Sequence, residues 1–340
     1  MKKIITLALA TFLTFTLIAQ DIHFSQFYAA PTLLNPAAVG DFNSDHRLFL
    51  NYKDQWRAIT TPYQTYAMSY DNRLGVKRTK NDHWSFGITA YSDKAGDTKM
   101  GMTNVNLGIG YHKELIPSHK FSFGFQGGFR QHSINFNDAQ WGSQYNGTSF
   151  DPTMSNNELF YNQTFIVPDF NAGTQWTFTP HRGFQANAGI AVHHLGKPLA
   201  NFMEMKDSDN RQYRKVVGHA STEIEVNNTN VTYIPRVLIS IQGPSQEIIA
   251  GSMIRYELSN GSKYTMWKKE SAIHFGAFYR VGDAIILASY YEWESVGLGI
   301  SYDVNFSSLT SVSNGRGGLE FTLRYITPFV SKHYGKKPRF

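Results

Sequence analysis

Arg130, Arg280, Asp303, Glu320 and Arg324 each interrupt a run in which every second residue is apolar. Charges placed this way can do two kinds of work. They can pair across a polar interior, as expected for Asp303, Glu320 and Arg324 on adjoining strands. Or they can line a charged constriction for solutes, a task that would suit Arg130, Arg280, Glu320 and Arg324. Catalysis finds no support in these residues. His193 and His194 are adjacent, and neighbouring residues of a strand point to opposite faces, so they are not expected to act as a pair. No Gly-x-Ser-x-Gly elbow occurs. The glycine-rich stretch Phe123–Gly128 lacks the Lys-Ser/Thr ending of a phosphate loop and reads as room for neighbouring groups. Asp82, Asp97, Asp207 and Asp209 lack the spacing of a calcium loop. No catalytic residue, metal ligand or cofactor is therefore expected.

The elements that position these charges are strands. Leu319, Phe321, Leu323 and Tyr325 alternate with Glu320, Thr322 and Arg324; Val105, Leu107, Ile109 and Tyr111 alternate with asparagine, glycine and histidine. A period of two gives each segment one oily and one polar face. About fourteen such segments can be read between Arg47 and Thr327, several of them of bilayer-crossing length. The reading is all-β: a closed antiparallel transmembrane barrel over 47–329, whose bore leaves a lumen unless something fills it. Pro235 falls inside one segment and must sit at a strand start, bulge or edge.

Composition agrees. Tyr and Phe number 19 and 25, as suits aromatic girdles. The mean hydropathy of −0.34 is too polar for a helical membrane protein. There is no cysteine, hence no disulfide, thiolate metal site or lipidated N-terminal Cys. Lys2 and Lys3, the apolar run Ile4–Ile18 and the small Ala19 form an export signal over 1–19, which directs the chain through the Sec route. The net charge of +6 falls to +4 without those two lysines, and its scattered distribution gives no nucleic-acid footprint.

Two segments lie outside the alternation. Residues 20–46 contain Pro31, Pro36 and Gly40 and form a candidate plug; the alternative is a segment that only packs to stabilise the fold. The tail 330–340 carries Lys332, Lys336, Lys337 and Arg339, and is either a solvated end or a dock for an acidic periplasmic partner. Three long connections, Asn135–Val167, Leu195–His219 and Ser259–Ser271, are expected on the extracellular side.

With those residues laid out, the chain resembles the PorP/SprF family of Bacteroidetes outer-membrane proteins over essentially its whole mature length. The resemblance rests on Gln20-Asp21-Ile22-His23-Phe24-Ser25-Gln26-Phe27-Tyr28-Ala29-Ala30-Pro31, then Leu34-Asn35-Pro36-Ala37 and Gly40. It continues through Asn51-Tyr52-Lys53-Asp54-Gln55-Trp56 and Pro62-Tyr63-Gln64-Thr65-Tyr66 to Ser301-Tyr302-Asp303-Val304-Asn305 and Gly317-Gly318-Leu319-Glu320-Phe321. The family implies a non-enzymatic component of type IX secretion and gliding. It would sit in outer-membrane lipid, partner the secretion and motor components, and support export or surface attachment of large adhesins through their C-terminal domains. On that basis His23, Phe24, Phe27, Tyr28, Pro31, Asn35 and Pro36 are candidates to seal the lumen. A passive small-solute channel is the alternative.

Overall fold

The computed structural model describes residues 21–57, 61–74, 82–96, 99–135, 141–155, 163–199, 211–259, 270–307, 310 and 315–327. The expected export signal and the basic tail with Lys332, Lys336, Lys337 and Arg339 lie outside these residues.

The described residues form fourteen antiparallel strands. They are β1 (His46–Gln55), β2 (Tyr63–Leu74), β3 (His83–Ala95), β4 (Met100–Ile116), β5 (His119–Ser133), β6 (Thr164–His181), β7 (Phe184–His193), β8 (Lys215–Glu225), β9 (Val231–Gln242), β10 (Ser245–Ser259), β11 (Ser271–Arg280), β12 (Ala284–Trp293), β13 (Val296–Asn305) and β14 (Arg316–Ile326). Each pairs with the next and β1 pairs with β14, so the sheet closes and has no edge. Closure satisfies backbone groups that hydrocarbon cannot.

The outer face is apolar. Ile109, Phe125 and Leu298 are 54, 50 and 53% exposed, while Asn106, Gln126 and Ser301 on the alternate positions are buried. Trp84, Trp176, Tyr233, Tyr256, Trp293 and Tyr325 ring one end of this band, the girdle expected where a barrel meets the lipid headgroups.

Both ends of the barrel sequence, His46 and Ile326, lie at that same end, and even-numbered connections open there. The longest connections, 134–163 and 194–214, open at the other end. Outer-membrane barrels keep short turns periplasmic and long loops outside, so the ringed end is the inner one. The Ser259–Ser271 connection corrects an expectation. It joins β10 to β11, an even-numbered link, and therefore opens at the inner end.

Pro235 lies within β9. It pairs with Ser252 of β10, but toward β8 the register lapses between Ser221↔Arg236 and Ile224↔Tyr233, because proline brings no N–H to the ladder.

Residues 21–45 lie inside the barrel. Short helical turns at Phe27–Ala29, Pro31–Leu34 and Pro36–Ala38 fold the chain against inward-facing side chains. Asp21 meets residues of the outer end (Gln212, Gln242), and Asp41 meets residues of the inner end (Lys120). The segment thus runs the length of the lumen before entering β1.

Candidate functional site

The distinctive chemistry lies where this segment meets the wall, and it falls into three tiers. At the outer tier the Asp21 carboxylate accepts from Arg130 Nη1 at 3.0 Å and Gln212 Nε2 at 3.0 Å, and lies 2.5 Å from His194 Nε2. His194 Nδ1 is 2.6 Å from Asp169. Burial acts to raise the Asp21 carboxyl, but Arg130 and His194 outweigh it and hold it well below the carboxylate range. Burial acts to lower His194, and the flanking Asp21 and Asp169 overcome it, so the imidazole is raised.

The middle tier, still in the outer half of the wall, is held by β14 and β1. Glu320 accepts the backbone N–H groups of Ser25 at 2.7 Å and Gln26 at 2.9 Å. Lys53 Nζ lies 3.1 Å from the same carboxylate and donates to the His23 carbonyl at 2.8 Å. Ser25 Oγ donates to Asp303 at 2.7 Å, and Arg280 bridges both partners, at 2.9 Å to Asp303 and 2.6 Å to Ser25. Lys53 and Glu320 are each 1% exposed, so these charges persist only because they are paired and hydrogen-bonded.

Apolar contacts flank the ions. Phe27, with Tyr28 and Leu34 beside it, packs on an inward cluster of Ile234, Leu238, Ile249, Met253, Phe278 and Ile286. Phe24 and Ala30 pack on Ala67 and Tyr91, next to Leu33. Below them Gln126 donates to the Thr32 carbonyl at 2.9 Å, and His193 Nε2 to that of Leu34 at 3.2 Å. Asn35 donates to the Thr174 carbonyl at 3.0 Å and caps the next turn by accepting from Ala37 N at 2.9 Å. Pro36 presses against Gly124, where a Cβ would fall 2.1 Å from its carbonyl carbon.

At the inner tier Arg47 donates to Asp71 and to the Ala38 carbonyl. Ser85 and His112 donate to Val39 O at 2.6 and 2.8 Å. Gly40 has φ +76°, a left-handed turn packed against Ser85, and its N–H reaches Asp71 at 2.7 Å. Asp41 binds Lys120 and Gln175. Burial raises its carboxyl, Lys120 and His112 lower it more, and the net shift is downward.

The structure brings most of the sequence-selected residues together and corrects three readings. The charges Arg130, Arg280, Asp303, Glu320 and Arg324 all point inward, but Asp303, Glu320 and Arg324 do not form one network. Asp303 pairs with Arg280, Glu320 with Lys53, and Arg324 with Glu292 at 2.6 Å near the inner mouth. His193 and His194 do not face opposite sides. His194 follows the end of β7 with φ +58°, which breaks the alternation, and both side chains are buried. Nor is the inward face uniformly polar: Phe278, Ile249, Met253 and Ile286 point in to receive Phe27. Lys53, Asp21, Asp169 and His194 were not selected from the sequence. Asp21 and Lys53 stood inside the quoted family blocks, and that was their only signal.

The described residues hold no group of three or more His, Asp or Glu arranged for a metal ion. The arrangement is one of anchoring: buried ion pairs fix a peptide along the axis of a barrel.

Several solved outer-membrane barrels are similar to the chain at low identity. A monoaromatic hydrocarbon channel, the TodX deltaS2S3 mutant, is 8% identical over 88% of this chain and 94% of its own, with a TM-score of 0.49. The CymD monoaromatic hydrocarbon channel is 9% identical over 90% and 94%, with a TM-score of 0.47. The P. putida toluene transporter TodX is 9% identical over 86% and 91%, with a TM-score of 0.46. At these scores the likeness carries no argument about function. No curated protein matches the chain. A family model described as type IX secretion system membrane protein PorP/SprF matches residues 16–325.

Proposed function

Since the chain belongs to the PorP/SprF family of type IX secretion system membrane proteins, we propose that it is an outer-membrane component of that system whose lumen is sealed by residues 21–45 and whose outer loops hold a secreted adhesin at the cell surface. The observation that carries the reading is the three-tiered seat of the N-terminal segment. A freely conducting pore needs an open path, and here Asp21, Ser25, Gln26 and Gly40 are tied to inward-facing charges from one end to the other. A filled barrel of this kind serves as a fixed platform. Loops at the outer end, chiefly the Asn135–Val167 connection, contact the C-terminal domain of the secreted client. Turns at the inner end contact the periplasmic secretion and motor components.

Within that long loop, residues 141–155 make a compact hairpin. Asn146 N donates to Ser149 O at 3.0 Å, and Gln144 Nε2 to Met154 O at 3.1 Å. Tyr145, Phe150 and Met154 stay exposed on it, which supports a contact surface rather than a slack connector.

Two experiments test the reading. Affinity purification of the tagged protein from its own outer membrane in mild detergent is expected to bring down type IX components or one large surface protein. A barrel that comes out alone counts against it. Removing residues 21–40 behind an intact export signal is expected to open a conductance in a planar bilayer. Equal conductance with and without the segment would move the function to a solute channel.

A further inference from the structure

The inward-facing arginines are not equivalent. Arg47, Arg130, Arg255, Arg280 and Arg324 each have a carboxylate oxygen within 3.3 Å. Arg236, inward on β9, has none among the described residues. Its guanidinium lies over the Tyr28 ring, 4.2 Å from the centroid, and its Nη1 donates to Met253 Sδ at 3.0 Å. A thioether is a weak acceptor, so a half-buried guanidinium is left with donors to spare. Tyr28 adds one more, because its buried hydroxyl has no partner.

Arg236 stands near the middle of β9. The last turn of the N-terminal segment, Pro36–Ala38, packs on β4–β7, whereas Arg236 belongs to the opposite wall, five residues into β9 from its inner end. Between it and the mouth stand the exposed Glu223 and the mutually paired Arg255, Glu257, Glu292 and Arg324. Phe27 and Phe278, 5.9 Å apart edge to face, pack beside Tyr28.

We propose that Arg236 and Tyr28 form a carboxylate-binding site open to the periplasm, and that its occupant is an acidic polypeptide segment of a periplasmic partner. The anion follows from the chemistry. A guanidinium already stacked on an aromatic ring offers its edge to a carboxylate. The polypeptide follows from competition. Glu223 is tethered on the neighbouring strand, two positions from Ser221, the residue paired with Arg236. Its local concentration exceeds that of any free small anion. Only a ligand with further contacts displaces such a rival, and the charged pairs at the mouth supply them. The partner's identity rests on the secretion-component reading; the chemistry of the site does not.

The test is calorimetric titration of the full chain, purified in detergent at low ionic strength, with a hexaglutamate peptide, with free glutamate and with inorganic phosphate. The peptide is expected to bind the parent protein and free glutamate to bind far more weakly. R236Q is expected to weaken peptide binding at least 30-fold, and R236K at least tenfold, because lysine keeps the charge and loses the fork. Y28F removes one hydrogen bond, worth about 1 kcal/mol, and so costs about fivefold. E223Q removes the tethered rival and tightens binding. K197Q at the outer end is the control and leaves it unchanged. Heat-modified mobility on gels confirms that each variant is a folded barrel. Binding unchanged in both R236Q and R236K overturns the site. No peptide binding to either the parent or E223Q also overturns it. Phosphate or free glutamate binding as tightly as the peptide overturns the polypeptide occupant. None of these results alters the expected conductance of the 21–40 deletion, so failure here is separable from failure of the sealing reading.

Discussion

Replacing Glu320 by Gln is the sharpest probe of how the N-terminal segment is held. The carboxylate accepts two backbone N–H groups and faces Lys53 Nζ at 3.1 Å. Breaking one member of a buried pair costs about 3–5 kcal/mol, mostly because the remaining charge is stranded. Glutamine keeps one oxygen that can still accept from Ser25 or Gln26, so the lower end, about 3 kcal/mol, applies. At about 1.4 kcal/mol per decade that is roughly a hundredfold rise in the unseated population. The chain has no cysteine, which makes a reporter simple to install. Thr32 is 1% exposed, and T32C reacts with a maleimide only when the segment leaves its seat. When reseating outruns labelling, the labelling rate follows that population. E320Q in the T32C background should therefore label about a hundredfold faster than T32C alone. Adding K53M removes the stranded ammonium and should recover most of the loss. Labelling within threefold of the parent, or a double variant worse than E320Q, would refute the charge-pair account.

Three further outcomes are expected. The carboxylates and the imidazole that seat the segment titrate in opposite senses. Asp21 and Asp41 are depressed, so their contribution is present above the unfolded carboxylate value of about 3.9 and is lost as pH falls through the folded value. His194 is raised, so its contribution is full below about 6.5 and is lost as pH rises through its folded value. Thermal stability should peak between about pH 4 and 6.5, and H194Q should flatten the alkaline flank; an unchanged flank would show that another group sets it. G124A forces a methyl to within 2.1 Å of Pro36 and should raise T32C labelling at least tenfold, whereas G218A, with nothing within 4 Å, should shift stability by no more than about 0.5 kcal/mol. An epitope placed in the 146–149 turn should bind antibody on intact cells, and one in the 294–295 turn only after lysis; the reverse result would invert the barrel.

The barrel was legible because hydrocarbon imposes a strict rule. Every second residue of a spanning strand meets lipid, and runs such as Val105–Tyr111 and Leu319–Tyr325 show it without ambiguity. Interior residues answer to no such rule, and there the reading was weaker. Phe278 breaks the polar inward pattern, and it points in because Phe27 needs an apolar surface. Asp303, Glu320 and Arg324 stand on the inward face. Their partners could not be read, since pairing depends on strand register and on a segment nearly three hundred residues earlier, as in Ser25 with Glu320. His194 was misjudged because strand alternation was carried one residue past the strand's end, where a positive φ cancels it.

Lys53 and Glu320 stand opposite each other in register across the β1–β14 junction, and the same two residues grip His23, Ser25 and Gln26. At the other end of that junction Ser44 bonds to Thr327. The segment thus lies along the inside of the last joint to close when the first and last strands meet. A peptide that spans the bore from mouth to mouth is laid in far more readily while that joint is open than threaded through a finished ring. It is therefore expected to act as a mandrel on which the cylinder is completed.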